Sequence, residues 1–314
     1  MSAIAIFHPT TLLGKELRET LGRQAKSWQD IRLLSTREDE VGTLTEAAGA
    51  AALVKGFEPE ELQGVATAFF CGPIAWNRPV LQALPADALA LILSFDATIE
   101  DGRPVVSGVN DEAAQPGSPL LSPHPAVVLL AHLLHPLVPL GLERTVATVV
   151  QPASMEGDAG IEEVFEQTRQ IVAMISRTPT PVFGAQLSFN LLPVPLPADP
   201  VSAQLDAVLP GAPPVSLQLV QGGIFHGISA SVYVRLREGL DAKALRKALA
   251  GHPVLETADD PKHLGPIDSA ASDKVLVGSV RKSNDGGFWL WAVMDNLTRG
   301  GALNALEIAA SATG

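Results

Sequence analysis

The side chains able to do chemistry are few, and their spacing excludes more than it supports. Ser122-Pro123-His124-Pro125-Ala126 opens an apolar helix. Pro125 suits the first turn of that helix, because its missing N–H would find no acceptor there and its φ is already helical, and it cannot attack a substrate. His132 and His135 lie three apart on one helical face, a spacing that raises the question of a metal. A structural zinc brings four ligands, often with cysteine among them, and no Cys or acidic residue lies near this pair in sequence, so no metal is expected. His124 reads as a turn residue before the helix. Ser154 and Ser229 would each need an adjacent base and a third, orienting group to act as nucleophiles, and the spacing supplies neither. Cys71 closes an apolar run after Phe69-Phe70 and reads as a small buried hydrophobe. His226 can exchange protons and is followed by Gly227.

The elements that must position these residues change character along the chain. Ala3 to Phe7 is a short apolar run, followed by His8-Pro9-Thr10-Thr11 and by Leu13, Leu17 and Leu21 at helical spacing with Gly22 closing the element. That is a strand, a turn and a helix. Further apolar runs at Ile31–Leu34, Val65–Cys71, Ala88–Leu93 and Val105–Val109 are continuous rather than alternating, as in a parallel sheet covered on both faces. After about residue 122 a helix is predicted from Pro125 to Leu137, a strand over Arg144–Val150 and an amphipathic helix from Gly160 to about Ser176. A Pro-rich stretch runs from Thr178 to Pro200, and Ile228–Leu236, Val275–Val280 and Phe288–Met294 read as strands of an antiparallel or mixed sheet. Gly300 to Ala310 reads as a closely packed helix.

Composition sets ordinary bounds. The 314 residues suggest about two domains, and 46% hydrophobic with 18% charged residues supply a core and argue against disorder. A net charge of −12 with no visible basic patch excludes nucleic acid as a partner. A single cysteine excludes an intramolecular disulfide. The start Met1-Ser2-Ala3-Ile4 has no positive n-region, and His132, His135, Pro136 and Pro139 interrupt the longest apolar stretch; a cytoplasmic protein without a membrane span is expected.

Val275-Leu276-Val277-Gly278-Ser279-Val280-Arg281, followed by Leu290-Trp291-Ala292-Val293-Met294-Asp295-Asn296-Leu297-Thr298-Arg299-Gly300-Gly301-Ala302-Leu303-Asn304-Ala305, resembles the C-terminal signature of the aspartate-semialdehyde dehydrogenase family. Gly108-Val109-Asn110, Ser122 to Pro125, Gln151 to Ile161 and Ser188-Phe189-Asn190-Leu191-Leu192-Pro193 resemble further motifs of that family, in its order. The resemblance implies an α/β fold: a Rossmann-like NAD(P)-binding domain over 1–122, a second α+β dimerisation domain with a mixed sheet over 123–295, and a C-terminal helix over 296–314 that returns to the first. It implies reductive dephosphorylation of aspartyl phosphate with NADP or NAD, and a homodimer.

Residue by residue, the working parts differ. The position matching the family's nucleophilic cysteine is Pro125, and that matching its acid/base histidine is Ile228. The two substrate-binding arginines match Ile99 and Gln221, neither of which offers the bidentate guanidinium suited to carboxylate and phosphate. Gln151 and Asn190 keep their identities. The glycine-rich nucleotide loop becomes His8 to Gly14, with His8 and Thr11 in place of glycines that let backbone approach pyrophosphate. Cofactor contacts would fall to Thr10, Thr11, Leu13, Gly14, Ser35, Arg37 and Asn296, although Arg37, beside Glu38, Asp39 and Glu40, reads equally as a solvated charge. The expectation is a pseudoenzyme, inactive as an aspartate-semialdehyde dehydrogenase, with an interaction or regulatory role as a homodimer or paired with an active relative. The alternative is an NAD(P)-dependent oxidoreductase of altered chemistry acting on a semialdehyde-like or other small substrate, with His226 as acid/base.

Overall fold

The computed structural model describes residues 3–23, 30–175, 177–194, 199–237, 240–258 and 260–313. The opening Met1-Ser2, the predicted helix end at Ser176 and residues 195–198 of the Pro-rich stretch lie outside these. The chain divides into two compact units, one of Met1–His124 with Gly300–Gly314 and one of Pro125–Arg299.

In the first unit the strands are β1 (Ala3–Phe7), β2 (Ile31–Ser35), β3 (Leu44–Ala47), β4 (Ala50–Leu53), β5 (Lys55–Gly56), β6 (Val65–Phe70), β7 (Leu89–Ile92), β8 (Arg103–Pro104) and β9 (Leu120–Leu121), with helices α1 (Leu12–Arg23) and α2 (Ile74–Leu81). Seven of these strands form one sheet in the order β5-β2-β1-β6-β7-β9-β8, paired in parallel throughout. All five side chains of β1 are buried, which is why its apolarity runs unbroken. Phe7 stacks on Phe70 at 4.8 Å between centroids and meets Phe57 edge-on at 5.6 Å. Buried aromatic pairs of this kind add about 1 kcal/mol each beyond their burial.

The predicted strand at Val105–Val109 is not one. Beyond β8 the backbone bends, and carboxamides take the place of a neighbouring strand. Asn110 Oδ1 accepts from the Val106 N–H at 2.8 Å, Asn304 Oδ1 from the Ser107 N–H at 3.0 Å, and Asn304 Nδ2 donates to the Val105 carbonyl at 3.1 Å. Apolar runs report burial but not whether a strand or a side chain satisfies the backbone.

The second unit contains α3 (Pro125–Leu134), β10 (Leu142–Gln151), α4 (Gly157–Val172), β11 (Leu191–Pro193), α5 (Asp199–Val208), β12 (Val215–Gly222), β13 (Ile228–Leu236), α6 (Ala242–Ala250), β14 (Leu255–Thr257), β15 (Val275–Lys282) and β16 (Phe288–Met294); the last helix, α7 (Asn304–Thr313), belongs to the first unit. The sheet runs β11-β12-β10-β13-β16-β15-β14 and is mixed, with β10–β12 and β14–β15 parallel and the other pairs antiparallel. Every residue of α3 is buried, and the helix packs against α5, β15 and β16. It ends earlier than predicted. Pro136 has no N–H to continue the ladder, so the chain tightens to a 3₁₀ turn over His135–Leu140 and leaves through Gly141 at φ +78°.

The Pro-rich stretch is held from α4. Glu163 accepts from the Val182 and Phe183 N–H groups at 2.6 and 3.3 Å, and Gln167 Oε1 accepts from Leu187 and Ser188 at 2.7 and 2.9 Å. Two buried polar side chains thereby supply acceptors that a segment poor in N–H donors could not find in a ladder.

Candidate functional site

In the first unit, the place to look is the carboxyl edge of the parallel sheet where β1 adjoins β6, because the chain leaves β1 toward β2 on one side and later returns to β6 on the other. His8 is the first residue past β1. It takes a left-handed backbone at φ +54°, and its side chain is fully buried. Nδ1 lies 3.2 Å from Ser35 Oγ and 3.5 Å from Glu40 Oε2, and Nε2 lies 3.3 Å from Thr36 Oγ1. The ring stands 5.1 Å from the Trp76 indole. Glu40 is 7% exposed. Burial pushes its carboxyl upward, but hydrogen bonds from His8, Ser35 and Thr10 together hold it below the ordinary range.

The rest of the turn is bonded to itself. Thr11 Oγ1 donates to the His8 carbonyl at 2.8 Å and accepts from the Gly14 N–H at 3.2 Å, so Thr11 caps α1. Gly14 is fixed by packing: a Cβ there would lie 2.5 Å from the His8 oxygen and 2.8 Å from Pro9 backbone. Leu13 is buried. Arg37 is not a free solvated charge. Its guanidinium lies 4.3 Å above the Trp76 ring and binds both carboxylate oxygens of Asp39. Tested against a dinucleotide, these residues do not fit: an imidazole fills the crevice, the Ser35 and Thr36 hydroxyls lie against its ring nitrogens, and the Arg37 guanidinium is bound to Asp39.

Ile99 is half-exposed in a segment whose neighbours serve structure. Asp96 Oδ1 accepts from the Ile74 N–H at 2.9 Å at the start of α2, and Asp101 accepts from the Thr98 N–H at 2.9 Å and pairs with Arg78.

In the second unit, the parallel register pairs Gln151 with Gln221, and Ile228 follows directly on the Val150–Ser229 pair. Gln221, Gln151 and Ile228 therefore form one row across β12, β10 and β13. They share the strand parity of buried Ala147, Val149, Ala230 and Val232. Gln221 Nε2 donates to the Gln151 carbonyl at 3.2 Å, and both glutamines are buried. Pro125 opens α3, which packs on the same unit's sheet. His226 is not in the row. Gly227 turns the backbone at φ +86°, and His226 stands exposed outside β13 in a groove of about 520 Å³ with Phe225, Phe165, Ile161, Asp158 and Glu162.

Asn296 is fully buried; its Oδ1 accepts from the Gly227 N–H at 2.9 Å and its Nδ2 donates to Ser154 Oγ at 3.0 Å. Asp295 accepts from the Leu297, Thr298 and Ala271 N–H groups. The Asn190 side chain bonds locally, to the Gln186 carbonyl and the Leu191 N–H, and its backbone carbonyl accepts from the Gly223 N–H at 3.2 Å.

The two histidines singled out by spacing, His132 and His135, join a third, His252, in a cluster in the second unit. His132 and His252 rings stand 5.2 Å apart and His135 and His252 rings 5.8 Å. His252, between α6 and β14, gave no sequence signal that it would join the other two. Among the described residues no group of His, Cys, Asp or Glu is arranged to hold a metal ion. His252 Nδ1 accepts the Val254 N–H at 3.3 Å, and His132 is pushed well below the ordinary imidazole range, first by burial and then by the charge of Arg299 and the two other rings. Burial likewise pushes His124 down to about 4 and the Cys71 thiol upward.

A parallel sheet of the dinucleotide-binding kind joined in one chain to a mixed α+β unit defines the class of two-part, Rossmann-like dehydrogenase folds. A family model described as "Semialdehyde dehydrogenase, dimerisation domain" matches residues 134–299, more than half of the chain. The chain belongs to the semialdehyde dehydrogenase family, as its signature residues led us to expect. A USG-1 protein homolog of Azotobacter vinelandii is 29% identical over 98% of this chain and 96% of its own length. The aspartate-semialdehyde dehydrogenase of Bacillus subtilis is 25% identical over the same shares. Among solved structures, a probable aspartate-semialdehyde dehydrogenase from Pseudomonas aeruginosa superposes with a TM-score of 0.88 at 23% identity, covering 98% of this chain and 97% of that one. The Candida albicans aspartate-semialdehyde dehydrogenase solved with NADP superposes at 0.76 with 15% identity, covering 99% and 98%.

Proposed function

We propose that this chain is a catalytically silent member of its family that acts as a homodimeric interaction or regulatory protein of the cytoplasm. The row formed by Gln221, Gln151 and Ile228 carries the reading. At that end of the sheet the chain offers two carboxamides and an alkyl group, and the helix that packs on the sheet opens with proline. No thiolate can form there, no imidazole from the row can move a proton, and no guanidinium can hold phosphate. The altered-chemistry reading needs His226 at the reacting atoms, and its exposed place beyond Gly227 does not support it.

Self-association is supported by α4, whose outward stripe carries Phe165 at 59% and Val172 at 73% exposure, with Met174 and Ile175 just beyond. That much exposed apolar surface on one helix suits a second copy of the chain, and it falls inside the region matched by the dimerisation-domain model. No helix among the described residues is long and apolar enough to cross a membrane.

The test is turnover. Purified protein incubated with aspartate semialdehyde, phosphate and NADP or NAD should show no change in absorbance at the nicotinamide wavelength, while an active family member under the same conditions does; turnover above background would overturn the silent reading. Sedimentation should give the dimer mass, and a monomer at micromolar concentration would remove the dimeric half of the proposal. A pairing with an active relative would show as a mixed species when the two are co-expressed.

A further inference from the structure

Open parallel sheets bind ligands in the crevice outside the carboxyl ends of their strands, where the path of the chain reverses. That crevice in the first unit contains a side chain of the protein itself. His8 holds a left-handed backbone that costs a non-glycine residue about 1 kcal/mol. A conformation of that kind persists only where the surroundings over-determine it, and here they do. Both ring nitrogens are engaged at once, by Ser35 and Glu40 on one side and Thr36 on the other, and the ring is covered by Trp76. Ser35 and Thr36 are the last residues of β2 and the first beyond it, the place from which an α/β unit reads a ribose.

We infer that His8 is an internal ligand: its imidazole occupies the crevice at the ends of β1 and β2, takes the hydroxyls and the carboxylate there, and excludes nicotinamide dinucleotides. This inference rests on the proposed reading of the first unit as a Rossmann-like unit without its cofactor, and names the residue responsible. The remainder of the cradle is still in place. Gly14 keeps the turn tight, Thr11 orders the start of α1, and Arg37 flanks the crevice on the Trp76 face. One substitution should therefore reopen it. Glycine at position 8 also suits φ +54°, so the change removes the obstruction and the backbone strain together.

The experiment is fluorescence titration of the full chain with NADPH and NADH, for the wild type, His8→Gly and His8→Phe. The wild type and the space-filling His8→Phe should show no saturable binding, and His8→Gly should bind at least about tenfold more tightly than either. A wild type that binds saturably overturns the inference, as does a His8→Gly protein that is folded by circular dichroism yet binds no better. Should His8→Gly fail to fold, His8→Asn, a smaller residue that tolerates left-handed backbone, carries the same comparison. Binding and turnover separate the two proposals. A wild type that binds nucleotide without turnover overturns the role of His8 and leaves the silent reading standing, whereas turnover without any dependence on position 8 overturns both.

Discussion

Replacing His132 by leucine should stabilise the protein. The imidazole of His132 is fully buried, and among the described residues neither ring nitrogen has a hydrogen-bond partner. A neutral imidazole must carry one N–H, and leaving such a donor unmet costs about 1–3 kcal/mol. Leucine is of similar volume, so repacking costs less than about 1.5 kcal/mol, and a net gain of about 1 kcal/mol at pH 7.5 is expected. For a unit of this size that raises the melting temperature by about 2–4 °C. The same cluster sets an acid dependence. His132 and His252 are held neutral in the fold, and an unfolded histidine titrates near 6.5, so the unfolded state binds protons that the folded state refuses. Stability is complete above about pH 6.5 and falls as pH drops toward the folded values. For His252, depressed from 6.5 to about 4, the loss is about 2 kcal/mol once solvent near the ring is allowed for. His132 adds to it, because its proton would join Arg299 and two rings with no carboxylate among the charges that act on it. Thermal scans from pH 8 to pH 4, with hydrogen exchange of the α3 amides to assign the transition to the second unit, measure both effects. His132→Leu should melt higher at pH 7.5 and lose less stability on acidification. A variant that melts lower at pH 7.5 and follows the wild-type pH profile in parallel would refute the reasoning.

Gly14→Ala should destabilise the first unit by about 2–3 kcal/mol, because the new Cβ meets His8 and Pro9 backbone at 2.5 and 2.8 Å rather than a side chain that could move; denaturant unfolding within 0.5 kcal/mol of wild type, on the order of measurement error, would show the turn can open. Cys71, fully buried with its thiol pushed upward by desolvation, should resist a disulfide exchange reagent at pH 8 and react fully in guanidinium; rapid stoichiometric labelling of the native protein would contradict its burial.

Much of the architecture was legible because burial writes itself into residue type. The runs that became β1, β6 and β7 are apolar on both faces, and β13 was read to its observed limits, Ile228–Leu236. Elements governed by a few polar contacts were not. The bend after β8 depends on the carboxamides of Asn110 and Asn304, and Asn304 comes from far along the chain. α5 and α6 have no counterpart among the elements expected from sequence, although Asp241 accepts the Ala244 N–H in the manner of an N-cap and an Asp so placed is a local signal of a helix start. At the candidate site, residue types could say that Pro125 and Ile228 do no chemistry. They could not say that His8 turns inward, because a histidine in a turn reads as exposed until Ser35, Thr36, Glu40 and Trp76 are seen around it.

On the proposed reading of a catalytically silent protein, each unit gives a physical account of how a fold outlasts its chemistry. A residue that serves packing is held by many neighbours at once: Asn296 ties Gly227 to Ser154, Asp295 accepts from three N–H groups, and Gly14 admits no Cβ. Changing any of them costs stability at once. A residue that serves a ligand is held mainly by the ligand, so when binding is not required its polar neighbours are free to bond within the chain. Here they do so. Ser35 and Thr36 meet His8, Arg37 meets Asp39 and Trp76, and Gln221 meets the Gln151 carbonyl. Buried polar groups that satisfy one another stabilise the fold without a ligand. On the inference drawn for His8, a nucleotide entering the wild-type crevice must displace the imidazole from Ser35, Thr36 and Glu40, so the affinity gained by His8→Gly sets a lower limit on the strength of those contacts.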